Sequence, residues 1–184
     1  MSHPGLPSLT RRNVAAALVA GAFAPYPAIA ASGPPLPPAL DALGGLNLAT
    51  WDGAPARLGQ HAAPGRCAVV HFWATWCAPC LSEARHLTDW RRRVPLDRLA
   101  LIGINVDSQR DEVKLAEWVR RSGANYTLLR GDRTNYAAFG LGDTIILPRL
   151  FVFARDGKPR AAFGRYDGGT LGRIDRAIAD ALAG

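Results

Sequence analysis

The chain of 184 residues is 48% hydrophobic and 20% charged, with a formal net charge of +7, a profile that suits one globular domain with a short appendage. Nearly all its basic residues are Arg, and they are scattered apart from Arg91-Arg92-Arg93. That triplet reads as a solvated helix end whose cations complement the C-terminal dipole, so nucleic-acid binding is not supported.

At the N-terminus, Thr10-Arg11-Arg12-Asn13-Val14 leads into an apolar run to Ala24, and Ala28-Ile29-Ala30 offers a small-x-small cleavage site. Charged, apolar and cleavable regions in that order read as a secretory signal. The run is far short of the ~20 residues that span a bilayer, and Pro25 and Pro27 follow it. The paired Arg resembles a twin-arginine signal, with Val14 where the consensus has Phe. Residues 1–30 are therefore expected to be a signal cleaved after Ala30, an uncleaved anchor being the lesser alternative. Residues 31–45 read as a Pro/Gly-rich extended leader, and 46–184 as one domain outside the cytoplasm, where a cysteine pair can be oxidised.

Leu46–Leu58 alternates loosely around the turn signal Asp52-Gly53 and predicts a short hairpin. Cys67–Trp73 predicts a central strand, with residues 67, 69, 71 and 73 on one face and 68, 70 and 72 on the other. A helix follows from about Cys77 to Arg93, stopped by Pro95. Leu99–Val106 is a continuous apolar run consistent with a buried parallel strand. Asp111–Arg121 predicts a helix with Val113, Ala116, Trp118 and Val119 as its buried stripe, ended by Gly123. Tyr126–Leu129 reads as a strand and Thr134–Phe139 as a short helix. Leu150–Ala154 and Arg160–Phe163 form strands joined at Asp156-Gly157, and Thr170 is a plausible N-cap for a last helix ending near Leu182. Strand–helix alternation followed by a hairpin and a helix implies an α/β fold, a central mixed β-sheet flanked by helices on both faces.

The stretch around which these elements are arranged is Phe72-Trp73-Ala74-Thr75-Trp76-Cys77-Ala78-Pro79-Cys80. Two residues between the cysteines bring the sulfurs within disulfide reach across one helical turn. Cys77 falls at a helix N-terminus, where unpaired N–H groups and the macrodipole favour a thiolate. Pro79 suits a first-turn position. A bare Cys-x-x-Cys is also half a zinc site, but no second Cys or His pair follows to complete one. No metal and no cofactor are expected. Cys67, the odd cysteine, lies roughly 20 Å from the active-site end of its strand; it reads as a buried free thiol, with an intermolecular disulfide the minor alternative.

The order of elements, with Trp-Cys-Ala-Pro-Cys at the end of the first central strand, resembles the thioredoxin fold. The N-terminal hairpin, the run Phe72–Cys77, Glu83 three residues after Cys80 and an inserted strand–helix unit resemble the TlpA/ResA-like extracytoplasmic thiol–disulfide oxidoreductases. That resemblance implies Cys77 as nucleophile and Cys80 as resolving thiol, forming a redox-active disulfide. It further implies a cis-proline at Pro148, whose neighbourhood with Leu147, Trp76, Pro79 and Arg149 would meet substrate. Trp73 reads equally as core and as site wall. Arg149 departs from the family, where a small polar residue such as Thr is usual; it could lower the Cys77 pKa, contact an acidic partner or point to solvent. Glu83 would tune thiol protonation or be a surface helix residue, and Arg85 replaces a family proline. His71, where thioredoxins carry a buried Asp, could take the proton from Cys80 or be a hydrogen-bonded core histidine.

The function implied is a periplasmic protein-disulfide reductase, because Ala-Pro between the cysteines resembles the reducing members. Its substrates would be disulfide-bearing proteins, apocytochrome c or copper-assembly proteins, and its electrons would come from a membrane thiol donor. A copper metallochaperone on the same fold is an alternative, as is a dithiol oxidase or isomerase. Sco-like chaperones have Cys-x-x-x-Cys and a late histidine, whereas no histidine follows His86 here. Peroxiredoxin chemistry is disfavoured, since Thr75 stands two residues before Cys77 rather than three and no matching proline precedes it.

Overall fold

The structure, a computed structural model, describes residues 33–109 and 111–184. The export signal expected over 1–30, with Arg11, Arg12 and the cleavage after Ala30, lies outside the described residues. Helix α1 (Leu40–Leu43) precedes the hairpin strands β1 (Asn47–Ala49) and β2 (Pro55–Arg57). Strand β3 (Cys67–Trp73), helix α2 (Ala78–Arg93), strand β4 (Leu99–Asn105), helix α3 (Glu112–Ser122) and strand β5 (Thr127–Arg130) follow. Then come α4 (Arg133–Tyr136), continued by a wider coil to Leu141, the hairpin β6 (Arg149–Phe153) and β7 (Pro159–Gly164), and α5 (Thr170–Ala183).

The strands form one mixed sheet in the order β2-β1-β5-β4-β3-β6-β7. β3, β4 and β5 are parallel, as the crossover helices α2 and α3 require, while β6 and the outer strands run antiparallel. β3 is buried along its whole length, pairing with β4 from Cys67 to Trp73 and with β6 from Ala68 to Phe72. Its alternation divides the core as the pattern predicts. Ala68, Val70 and Phe72 pack with Leu40, Leu43, Tyr136 and Phe139 on one face. Cys67 and Val69 pack with Leu87, Ile174 and Ile178 on the other, and Trp73 with Leu115 and Trp118. The fold class read from the sequence, a central mixed sheet flanked by helices with an N-terminal hairpin, therefore holds.

Three local expectations are corrected. In α3 the buried residues are Leu115, Trp118 and Ser122, whereas Val113 is 78% exposed and Ala116 is exposed; the helix meets the protein along one narrow seam, and Val113 and Ala116 lie off it. Thr170 is the first residue of α5, not its cap. Its buried hydroxyl accepts from the Asp167 amide at 3.0 Å and donates to Asp167 Oδ1 at 2.9 Å. The packed unit also reaches further back than residue 46, because α1, within the stretch read as leader, buries both of its leucines.

Leu40→Ala should therefore lower stability by about 2–5 kcal/mol, the range for emptying a packed leucine site. Urea denaturation of the full chain checks this; a loss below about 0.5 kcal/mol would mean that α1 does not belong to the cooperative core.

Candidate active site

The dithiol sits where β3 hands over to α2. The connecting loop is pinned from the neighbouring strand: the Thr75 amide donates to both oxygens of Asp107, at 3.0 and 3.3 Å, and the Asn105 side chain donates to the same carboxylate at 2.9 Å. Cys77 then occupies the N-cap of α2, its sulfur accepting from the Cys80 amide at 3.3 Å, with Pro79 in the first turn. The two cysteines form a disulfide with Cα atoms 5.3 Å apart. Cys77 is 4% exposed and Cys80 fully buried, while Trp76 beside them is 66% exposed. The outer sulfur thus lies at the positive end of a sixteen-residue helix, where a thiolate is favoured.

A second wall comes from the segment before β6. The Leu147–Pro148 peptide bond is cis, and Leu147 packs against the cluster that contains Cys77, Cys80 and Trp73. Buried Tyr136 holds this segment: its hydroxyl donates to the Ile146 carbonyl at 2.8 Å and accepts from the Ile146 amide at 3.0 Å. Ile146 itself is 52% exposed. Arg149 is neither a solvent edge residue nor turned to the dithiol by any contact. It is partly buried and folds across β7 at Gly164, where a Cβ would lie 2.0 Å from Nη1. Nη1 donates to the Pro148 carbonyl at 3.3 Å, and buried Nε has no acceptor among the described residues.

Three residues along α2 from Cys80, Glu83 meets His71 of β3; both are fully buried and in contact, His71 Nδ1 to Glu83 Oε1 at 3.0 Å. Tyr126 Oη lies 3.1 Å from His71 Nε2, and Tyr166 donates its hydroxyl to Glu83 Oε2. Burial pushes the Glu83 carboxyl above its ordinary range, opposed by the hydrogen bond and charge of His71. Burial, reinforced by the charge of Glu83, pushes the Tyr126 phenol well up. Gly103 makes room for the group: a Cβ there would lie 2.7 Å from His71 Nε2 and 3.0 Å from Trp73 Nε1. Of the two readings of Glu83, the surface residue is excluded by its burial.

Trp73 is fully buried, stacked between Trp51 (ring centroids 6.2 Å apart) and Trp118 (3.6 Å). It is a floor under the cysteines, leaving Trp76 as the indole on the surface. Cys67 is buried at the opposite end of β3 and donates its thiol to the Ala181 carbonyl at 2.8 Å. The structure thus brings together Cys77, Cys80, Leu147 and Trp73 in one cluster, and pairs His71 with Glu83. Asp107, Tyr126, Tyr136, Tyr166 and Gly103 were not read from the sequence; only Asp107, just past the end of the adjacent parallel strand, carried a positional signal. Among the described residues no group of three or more His, Cys, Asp or Glu is placed to hold a metal ion.

The family model described as the AhpC/TSA family matches residues 41–162. The thiol:disulfide interchange protein HelX of Rhodobacter capsulatus is 30% identical over 88 residues, 48% of this chain and 46% of HelX. The thiol-disulfide oxidoreductase ResA of Bacillus subtilis is 24% identical over 95 residues, 51% of this chain and 50% of ResA. The chain spans about half the length of the curated relatives it matches. Among solved structures, a secreted Mycobacterium tuberculosis disulfide oxidoreductase homologous to E. coli DsbE has a TM-score of 0.62 at 20% identity, covering 76% of this chain and 98% of that one. A thioredoxin family thiol:disulfide interchange protein from Chlorobium tepidum has a TM-score of 0.61 at 24% identity, covering 83% and 98%. These structures share the thioredoxin-like fold.

Glu83 makes stability depend on pH with a definite sign. Its carboxyl holds a proton in the folded state at pH values where the unfolded chain, with an ordinary value of 4.5, has lost it. The folded state then binds more protons, so stability falls as pH rises above about 4.5 towards the folded value. Glu83→Gln keeps an acceptor for Tyr166 and a donor for His71, and should flatten that decline. Urea midpoints from pH 4 to 9 check it; parallel wild-type and variant curves would show that Glu83 is not the group responsible.

Proposed function

The chain belongs to the AhpC/TSA family, and from that premise we propose that it is a periplasmic thiol–disulfide oxidoreductase that reduces disulfides in partner proteins. The observation that carries this reading is the Cys77–Cys80 disulfide at the N-terminus of α2, with exposed Trp76 next to Cys77 in the chain and Leu147, before cis Pro148, packed against the same cluster. The names of HelX and ResA, a thiol:disulfide interchange protein and a thiol-disulfide oxidoreductase, support the reaction class.

The reduced enzyme begins with a Cys77 thiolate favoured by the helix terminus. Cys77 Sγ attacks one sulfur of the substrate disulfide; a Cys77–substrate disulfide forms, and the other substrate sulfur leaves as a thiolate that takes a proton from water. Cys80 then gives up its proton and attacks Cys77 Sγ. The Cys77–Cys80 bond forms, and the second substrate sulfur leaves with the electron pair and takes a proton from water. Substrate has gained two electrons and two protons, and a membrane thiol donor would restore the dithiol. Glu83 lies one turn along α2 from Cys80, and with His71 it is the buried base for the Cys80 proton. Trp76, Pro79, Leu147 and Pro148 form the surface met by substrate, with Arg149 beside them. Apocytochrome c or copper-assembly proteins are the proposed substrate class, and the signal expected over residues 1–30 supports a location outside the cytoplasm with them.

Two measurements test the reading. The midpoint potential of Cys77–Cys80, followed by tryptophan fluorescence in glutathione or dithiothreitol buffers, should fall below about −230 mV. A value above about −180 mV would make the protein an oxidant or isomerase instead. Cys80→Ser should accumulate a mixed disulfide on Cys77 with an oxidised protein substrate, while Cys77→Ser should accumulate none.

A further inference from the structure

Glu83 and His71 have no exposed surface, yet a base that takes the Cys80 proton in each turnover must return it to water. Two hydroxyls contact the pair, Tyr126 on His71 Nε2 and Tyr166 on Glu83 Oε2. We propose that Tyr166 is a positioning residue that carries the Cys80 proton from buried Glu83 to solvent, while Tyr126 caps the far nitrogen of His71. This rests on the reductase reading above and adds the route by which the resolving step is discharged.

Hydrogen-bond accounting supports a mobile proton. With Glu83 ionised and His71 neutral, Nδ1–H donates to Oε1, Tyr166 donates to Oε2 and Tyr126 donates to Nε2. With one more proton, either Oε1–H donates to Nδ1 or His71 is an imidazolium, and in both cases Nε2–H donates to the Tyr126 oxygen. Every arrangement leaves each buried polar atom with a partner, so no orphaned group opposes the transfer.

The partners of the tyrosines distinguish their roles. Both tyrosines are partly exposed, Tyr166 between exposed Arg165 and Asp167 in the connection from β7 to α5 and Tyr126 after exposed Asn125; what separates them is the partner, the carboxylate for Tyr166 and His71 Nε2 for Tyr126. The connection that carries Tyr166 is fixed by Asp167, which accepts from the Gly169 amide at 2.9 Å and from Arg173 Nη2 at 3.0 Å on each oxygen. Tyr126 meets the imidazole edge-on at 5.7 Å between centroids and contacts only the far nitrogen of the pair. The titratable groups that face Glu83 are His71 from β3, His86 from α2 itself, and the two tyrosines; His86 is held to Asp175 of α5 at 2.8 Å. In the step, Cys80–SH gives its proton to the Glu83–His71 pair. For release, the proton moves to Oε2 and the Tyr166 hydroxyl turns its hydrogen from Oε2 to water; its oxygen then takes the proton from Oε2 as that hydrogen passes to water. The leaving substrate thiolate takes one from water, so protons balance.

The test uses the reduced full-length protein and Ellman's reagent. Attack by Cys77 releases a first thionitrobenzoate and leaves a mixed disulfide; resolution by Cys80 releases the second. Tyr166→Phe should leave the first phase unchanged and slow the second about tenfold or more, the low side of what a positioned proton-transfer group contributes. Its pH profile and solvent deuterium effect should change with it, and Tyr166→His should recover most of the rate. Tyr126→Phe should change the second phase less than threefold. A second phase within twofold of wild type in Tyr166→Phe, or an equal loss in Tyr126→Phe, overturns the proposal. A wild-type protein that showed no second phase would instead overturn the reductase reading itself.

Discussion

The arrangement depends on β3 having no route to water. Paired on both edges and covered on both faces, it must satisfy every backbone group through β4 and β6, and its register is set by the alternation of its side chains. A one-residue slip would exchange His71 and Trp73 with Phe72 across the sheet. Because α2 begins just past the end of this strand, the position of Cys77 follows from the same constraint. The Asp107 carboxylate, at the end of β4, ties the intervening loop to the neighbouring strand, so the dithiol is placed by two central strands rather than by a loose connection.

Against this rigid frame the fold accepts one costly feature, a carboxyl and an imidazole with no exposed surface. Desolvation of such groups is unfavourable unless each lone pair and proton has a partner, and here two tyrosines from separate loops supply them. The glycine at 103 belongs to the same arrangement, because a methyl group on β4 would occupy the space taken by the ring of His71. The buried carboxyl and imidazole are thus set on the same face of β3 as Trp73, whose cluster contains a pair of sulfurs whose chemistry moves protons.

Features with a local period were legible in the sequence. The alternation of Cys67–Trp73, the cap position of Cys77 and the turn at Asp156-Gly157, where Gly157 adopts φ +77°, each depend on residues close in the chain. What escaped depends on separation. Tyr126 is 55 residues from His71 and Tyr166 is 83 from Glu83, and neither tyrosine has a pattern of its own. Arg149 was open to several readings because the missing side chain of Gly164, across the hairpin, makes room for its guanidinium. Val113 and Ala116 misled because an apolar residue on a helix need not face the core when the seam is narrow.

The cysteine bridge closes a loop with a sequence separation of only 3. On the chain-entropy model a ring that small restricts the unfolded chain by about 2 kcal/mol, against about 3 for a fifteen-residue loop. Opening it therefore shifts the folding equilibrium by less than opening a longer bridge would. With Cys67 at the far end of β3, the described domain has one workable sulfur pairing and no scrambled isomer competing with it. The bond behaves as a reagent mounted on the protein rather than as a brace within it.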